Sequence, residues 1–260
     1  MKKSLILLFG LVLALVSCKN ETENYNASVD DNYFPDDSGA WVEYRVDSVV
    51  YNDFYYAFPP SSPQPQYVHT STHYVKQVVG EKFTDNMGRQ ATKIYRYTKD
   101  SLSQPYDDVP RVWYFVKTKT NVEVVEENLR YIKLVFPANV DLSWKGNKYV
   151  TDTFPFVPLK GFFQINYNGW DYAVSEKDKI YNNGFHTFDS VLTVVQYDDS
   201  TNVYKVSSVE KYARNTGMVY REFWRLDAQQ DTDDNTPLIP FMQSKLNGFI
   251  VKQYAINYGH

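Results

Sequence analysis

His69 and His73, in His-Thr-Ser-Thr-His, have a type and spacing that suggest metal ligation. Sharing one ion would require a helix. On a strand the interval is about 13 Å at ~3.3 Å per residue, too far for common ligation. Thr70-Ser71-Thr72 between them and Tyr74-Val75 after them favour a strand, so both read as surface or cross-strand histidines. Asp231, Asp233 and Asn235 match calcium-loop positions one, three and five. Thr236 stands where that loop needs glycine and Met242 where it needs a bidentate glutamate, so a solvated acidic loop is expected. No metal or other cofactor follows from these residues. The adjacent acids Asp36-Asp37, Asp107-Asp108 and Asp198-Asp199 read as turn formers. A glycosidase would need two carboxylates about 5 to 9.5 Å apart, and 31 acids in one chain single out no pair. The chain has no Gly-x-Ser-x-Gly, Walker, His-Glu-x-x-His or glycine-rich phosphate motif, and no catalytic residue is assigned.

Binding chemistry is better represented. Aromatic residues make up 17% of the chain, and two places concentrate them where a ligand could stack. Phe54, Tyr55, Tyr56 and Phe58 directly precede Pro59, Pro60, Pro63 and Pro65, a proline density that forbids a central strand and implies an extended loop. Tucked inward, these rings belong to the core. Facing outward, they form a platform for sugar rings or a partner's apolar face. Trp144 and Trp170, beside Gly146, Asn147 and Gly169, are a second candidate platform with core packing as the alternative.

The single cysteine has a different chemistry. Met1-Lys2-Lys3 is followed by an apolar run from Leu5 to Val16, too short to span a ~30 Å hydrocarbon core and suited to the h-region of a secretory signal. Leu15-Val16-Ser17-Cys18 then resembles the bacterial lipobox, which implies cleavage before Cys18 and acylation of its sulfur and new amino group. Two or more acyl chains hold a protein on a membrane, whereas one does so only marginally. With Cys18 carrying lipid, the mature chain has no thiol for a disulfide, a zinc site or a nucleophile. The net charge is −4, and losing Lys2 and Lys3 with the leader makes the remainder more acidic, which argues against a nucleic-acid partner.

The elements that must position these residues are strands. Residues 19–32 are polar and aperiodic and read as a tether, leaving 1–17 as signal peptide, 18–32 as acylated cysteine and tether, and 33–260 as one domain. In Val42-Tyr44-Val46-Ser48-Val50 the period is two, with Glu43, Arg45 and Asp47 on the other face. Residues 91–98, 112–116, 129–136, 188–197, 203–212, 218–226 and 249–257 carry the same β-branched and aromatic content. Asp85-Asn86-Met87-Gly88, Asp198 to Asn202 and Asn215-Thr216-Gly217 supply turns, and Asn247-Gly248 reads as a hairpin dipeptide opening the last strand. Ser175 to Tyr181, with its cluster of Glu176, Lys177, Asp178 and Lys179, is the one helical expectation. Strands without intervening helices imply an antiparallel all-β domain of about ten strands, as a sandwich or a strongly curved sheet.

Several stretches together resemble uncharacterised lipoproteins of the Bacteroidota. They are Tyr33-Phe34-Pro35, Gly39, Trp41, Tyr44, Val46-Asp47-Ser48, Phe83-Thr84-Asp85-Asn86, Gly88-Arg89, Leu134-Val135-Phe136-Pro137 and Trp144 with Gly146-Asn147. Phe188 to Val194, Lys211-Tyr212-Ala213 and Gly217 to Glu222 complete them, while His69 stands where such proteins more often carry an acid. The resemblance implies a lipid-anchored, all-β outer-membrane protein of the cell envelope with no assigned activity, on its periplasmic or surface face. Three functions stay open: a non-catalytic binding or structural component, a glycan-active hydrolase, and an apolar-ligand carrier. Partners would be the membrane through the lipid, together with a glycan, an apolar ligand or another envelope protein. A carrier requires an apolar cavity, a hydrolase a cleft with two carboxylates of perturbed pKa, and a binder an aromatic patch.

Overall fold

Alternation along the chain becomes the inside and outside of one curled sheet. The computed structural model describes residues 30–52, 68–151, 153–156, 163–229 and 240–260. The strands are β1 (Trp41–Asn52), β2 (Val68–Thr84), β3 (Gln90–Lys99), β4 (Arg111–Lys117), β5 (Asn121–Glu126), β6 (Leu129–Val135) and β7 (Ser143–Trp144). They continue with β8 (Thr153–Phe156), β9 (Phe163–Asn166), β10 (Tyr172–Asn182), β11 (Thr187–Ser200), β12 (Tyr204–Ala213), β13 (Gly217–Gln229) and β14 (Lys245–Gly259). Twelve form one sheet in the order β6-β5-β4-β3-β2-β1-β14-β13-β12-β11-β10-β7, while β8 and β9 make a separate hairpin. Each of the sheet's pairings is antiparallel, as hairpin connections require.

The two edges of this sheet meet. Ile132 N–H of β6 donates to the Gly146 carbonyl just beyond β7 at 2.7 Å, and the Trp144 indole N–H donates to the Ile132 carbonyl at 2.8 Å. The sheet is therefore a nearly closed barrel, and closure removes the exposed edges that would otherwise template further pairing. Inward side chains from opposite walls form one cluster that includes Phe115, Leu134, Leu192, Val194, Tyr212 and Phe249, all buried. Each such side chain contributes about 1.5–3 kcal/mol on leaving water.

The expected face of β1 is the observed one: Tyr44, Val46, Ser48 and Val50 are buried while Glu43, Arg45 and Asp47 are half-buried. Two local readings are corrected. Ser175 to Tyr181 is not helical. It is the outer half of β10, interrupted by register shifts after Val174, Glu176 and Lys179, with Asp178 at φ 54°. The charges that suggested a helix point into solvent or hold neighbours: Asp178 accepts from the Tyr33 hydroxyl at 2.6 Å and from Arg214 Nε at 2.8 Å. Asn247-Gly248 is not a hairpin turn either. It lies within β14, where Gly248 pairs with Tyr51 on one side and Leu226 on the other. Gly248 sits at φ 135°, and a Cβ there would lie 2.0 Å from the Arg225 carbonyl oxygen, so close backbone approach explains the glycine.

Candidate functional site

At the end of the barrel where β1 begins and β14 finishes, the inward side chains stop short of filling the interior. They leave a cavity of about 330 Å³. Alternation places its walls: Val42 and Tyr44 on β1, Val79 on β2, Ile94 on β3, Phe115 on β4 and Met218 on β13. The Tyr44 hydroxyl donates to the Met218 carbonyl at 2.9 Å, so the one polar tip among these residues is already engaged. Burial pushes the Tyr44 hydroxyl well above its ordinary pKa and keeps it neutral.

The rim is completed by the chain preceding β1. Phe34 lies edge-to-face on Phe115 with centroids 5.0 Å apart, and Pro35 follows it on the lining. This segment is clamped by charge. Asp30 is buried and takes Lys177 Nζ at 2.7 Å, Arg214 Nη2 at 3.3 Å and the Ala138 N–H at 3.0 Å. The Arg214 guanidinium also covers the buried Tyr33 ring at 4.3 Å, and Asn215 N–H donates to the Asn32 carbonyl at 2.7 Å.

Below the cavity the interior turns ionic. Phe34, Gln77, Ile94 and Met218 line both the cavity and a smaller cleft of about 50 Å³, which Glu126, Lys133, Glu210, Arg221 and Gln253 also line. Lys133 Nζ sits 2.9 Å from Glu126 Oε1 and 2.8 Å from Glu210 Oε1. Arg221 reaches both acids at 3.5 Å, and the Tyr212 hydroxyl donates to Glu210 Oε2 at 2.6 Å. Burial alone would push the Glu126 carboxyl up. Lys133, Arg221 and Arg96 outweigh it and hold the group at about 2. Arg96, inward on β3 beside Ile94, stacks its guanidinium 3.7 Å over Trp113, and burial lowers its pKa to about 10.

The residues singled out in sequence fall elsewhere. Cys18, the Phe54, Tyr55, Tyr56 and Phe58 cluster, and Asp231, Asp233 and Asn235 lie outside the described residues. Trp170 is buried and stacks on Tyr197 with centroids 5.0 Å apart, while Trp144 is half-buried at the seam of the barrel. His69 and His73 are both on β2, as the strand reading has it. Burial, then the nearby Arg96, lower the pKa of His73. Among the described residues no group of three or more His, Cys, Asp or Glu could hold a metal.

The sequence reading passed over the ionic floor. Its signal was there: Arg96, Glu126, Glu210, Arg221 and Gln253 occupy the inward parity of their strands, in phase with Ile94, Val124, Tyr212, Val219 and Val251.

No family model and no curated protein matches the sequence. Among solved structures, the chain is similar to a candidate exported protein with YmcC-like fold from Bacteroides fragilis, at TM-score 0.39 and 10% identity. A candidate lipoprotein from Parabacteroides distasonis gives TM-score 0.34 and 12% identity. Each comparison covers 87% of this chain and 98% of the other.

Proposed function

We propose that this protein is a lipid-anchored component of the cell envelope that holds a small apolar ligand in the mouth of its barrel. The observation carrying this reading is the cavity of about 330 Å³ walled by Val42, Val79, Ile94, Phe115 and Met218. That volume lies in the range of small-molecule sites, and apolar walls with a few polar groups are their usual make-up. The hydrolase alternative is less well supported. Glu126 and Glu210 are the acids among the described residues that line the cleft beneath the cavity, and both are tied to Lys133 and Arg221. Glu126 is held low, whereas a general acid needs its pKa raised.

The test uses N-phenyl-1-naphthylamine, a neutral probe that fluoresces when it leaves water. It should bind the purified protein saturably. Val42→Trp, which fills the rim, should weaken binding by about tenfold or more, because the bulk occupies the ligand's space. The variant's thermal transition should stay within a few degrees of the parent's. Probe binding that is non-saturable, or unchanged by Val42→Trp in a folded protein, would remove the cavity as the site.

A further inference from the structure

Two buried donors beneath the cavity have nothing to donate to. Gln253 is 6% exposed, lines the lower cleft, and its Nε2 has no hydrogen-bond partner. The buried Arg96 Nε has none either. Gln253 lines the cleft itself, and Arg96 lies just behind its wall, stacked on the lining residue Trp113. Gln253 lies opposite Arg221 in the β13–β14 ladder, Arg96 lies opposite Gln77 in the β2–β3 ladder, and Gln77 and Gln253 line the same cleft. A buried polar group left unpaired is costly, so two such donors at one cleft call for an explanation.

The neighbouring acids do not supply it. Glu126 offers one oxygen to Lys133 and the other to Arg221. Glu210 offers Oε1 to Lys133 and Arg221, and Oε2 to the Tyr212 hydroxyl. Among the groups at the cleft the charges do not balance: Arg96, Lys133 and Arg221 face Glu126 and Glu210, an excess of one positive charge, and the further acid acting on Arg96, Glu127, is exposed and lies 3.5 Å from Arg111. His73 adds no cation at neutral pH, because burial and Arg96 lower its pKa.

We infer that the ligand is an amphiphile with a single negative charge on an oxygen-bearing head, of the fatty-carboxylate class. Its chain lies in the apolar cavity and its head reaches the Gln253 amide and the Arg96 guanidinium. One carboxylate supplies the missing charge and enough lone pairs for both donors. The apolar walls above, Val42, Val79, Ile94, Phe115 and Met218, admit an alkyl chain, with Gln77, Asn215 and Thr216 also on the lining. This inference rests on the apolar-ligand reading and adds the head group to it.

Displacement of N-phenyl-1-naphthylamine at pH 7 separates the two. Decanoate is ionised at that pH, and decanol matches its chain without the charge. Decanoate should displace the probe about 10- to 100-fold more effectively than decanol, the range for hydrogen bonds to a charged group. Arg96→Met and Gln253→Leu should each erode that preference by weakening decanoate more than decanol, and Arg96→Lys should retain part of it. Equal displacement by decanoate and decanol, with the probe bound, would overturn the head group and leave the cavity reading intact. If neither the probe nor decanoate binds in direct calorimetry, the cavity reading falls and the head group falls with it.

Discussion

Lys133 is the residue on which the interior charges turn. It is buried, and among the described residues it is the one cation within 3 Å of both Glu126 and Glu210. Lys133→Met keeps much of the volume but leaves two buried carboxylates with Arg221 at 3.5 Å as their nearest cation. The expected cost is about 3–5 kcal/mol, the range for removing one partner of a buried ion pair. Urea denaturation would measure it, and adding Glu210→Gln to Lys133→Met should recover part of the loss. The same cluster sets an acid limit. The Glu126 carboxyl is held at about 2 in the folded protein against 4.5 unperturbed, so its contribution is complete above pH 4.5 and disappears as pH falls toward 2. The contribution is on the order of 3 kcal/mol. Glu126→Gln should therefore flatten the loss of stability across that window, and an unchanged pH profile would refute the assignment. Little of this was legible in the sequence. That a polar side chain falls on an inward parity can be read from alternation, but that Lys133 meets Glu210 depends on how far the sheet curls across the barrel. No residue type encodes that curvature locally.

At the scale of strands, the sequence was informative wherever apolar alternation and a glycine or asparagine turn coincided. β1, β3 and β11 to β13 were legible for that reason, and most of β14 with them, while β4 and β6 were legible as dense β-branched and aromatic runs bounded by Pro110 and Pro137. β5 was missed although Asn128 sits in its hairpin to β6: Glu127, which rarely adopts positive φ, takes the other turn position, and no glycine flanks the strand. β10 was misread because its charged half follows β11 through three register shifts, which destroy the period of two. Gly248 was recognised as special and given the wrong reason. The difference is testable by comparison with Gly39, which has φ 93° and open space where a Cβ would go. Gly39→Ala should cost about 1–2 kcal/mol, from left-handed strain alone. Gly248→Ala adds a clash with the Arg225 carbonyl and should cost about 3 kcal/mol or more, among the exceptional effects of single substitutions. Chemical denaturation of the two variants side by side would decide it. Equal costs would mean that Gly248 is a turn glycine like any other.

For the whole molecule, the clamp on Asp30 decides which end of the barrel a lipid at Cys18 would tie to a membrane. Asp30 and the residues after it dock at the rim, beside Phe34 and Pro35, so the described chain begins at the cavity end. Twelve residue steps separate Cys18 from Asp30, a reach of at most about 40 Å. The opposite end, at the β11–β12 turn near Val203, lies farther by nearly the length of β1, about 40 Å for its twelve residues. With Cys18 acylated, the mouth is the end that stays near the bilayer, where an apolar ligand would enter or leave. Two labelled proteins test this on vesicles carrying an acceptor lipid. A donor fluorophore on Ser38→Cys, exposed just ahead of β1, should transfer energy to the lipid more strongly than one on Val203→Cys, exposed at the far turn. Transfer that is equal from the two sites, or stronger from Val203, would show that the barrel presents another face to the membrane. Adding Cys18→Ser to either labelled protein should abolish transfer and move the protein to the soluble fraction. Persistence in the membrane fraction would mean that something other than lipid at Cys18 holds it there.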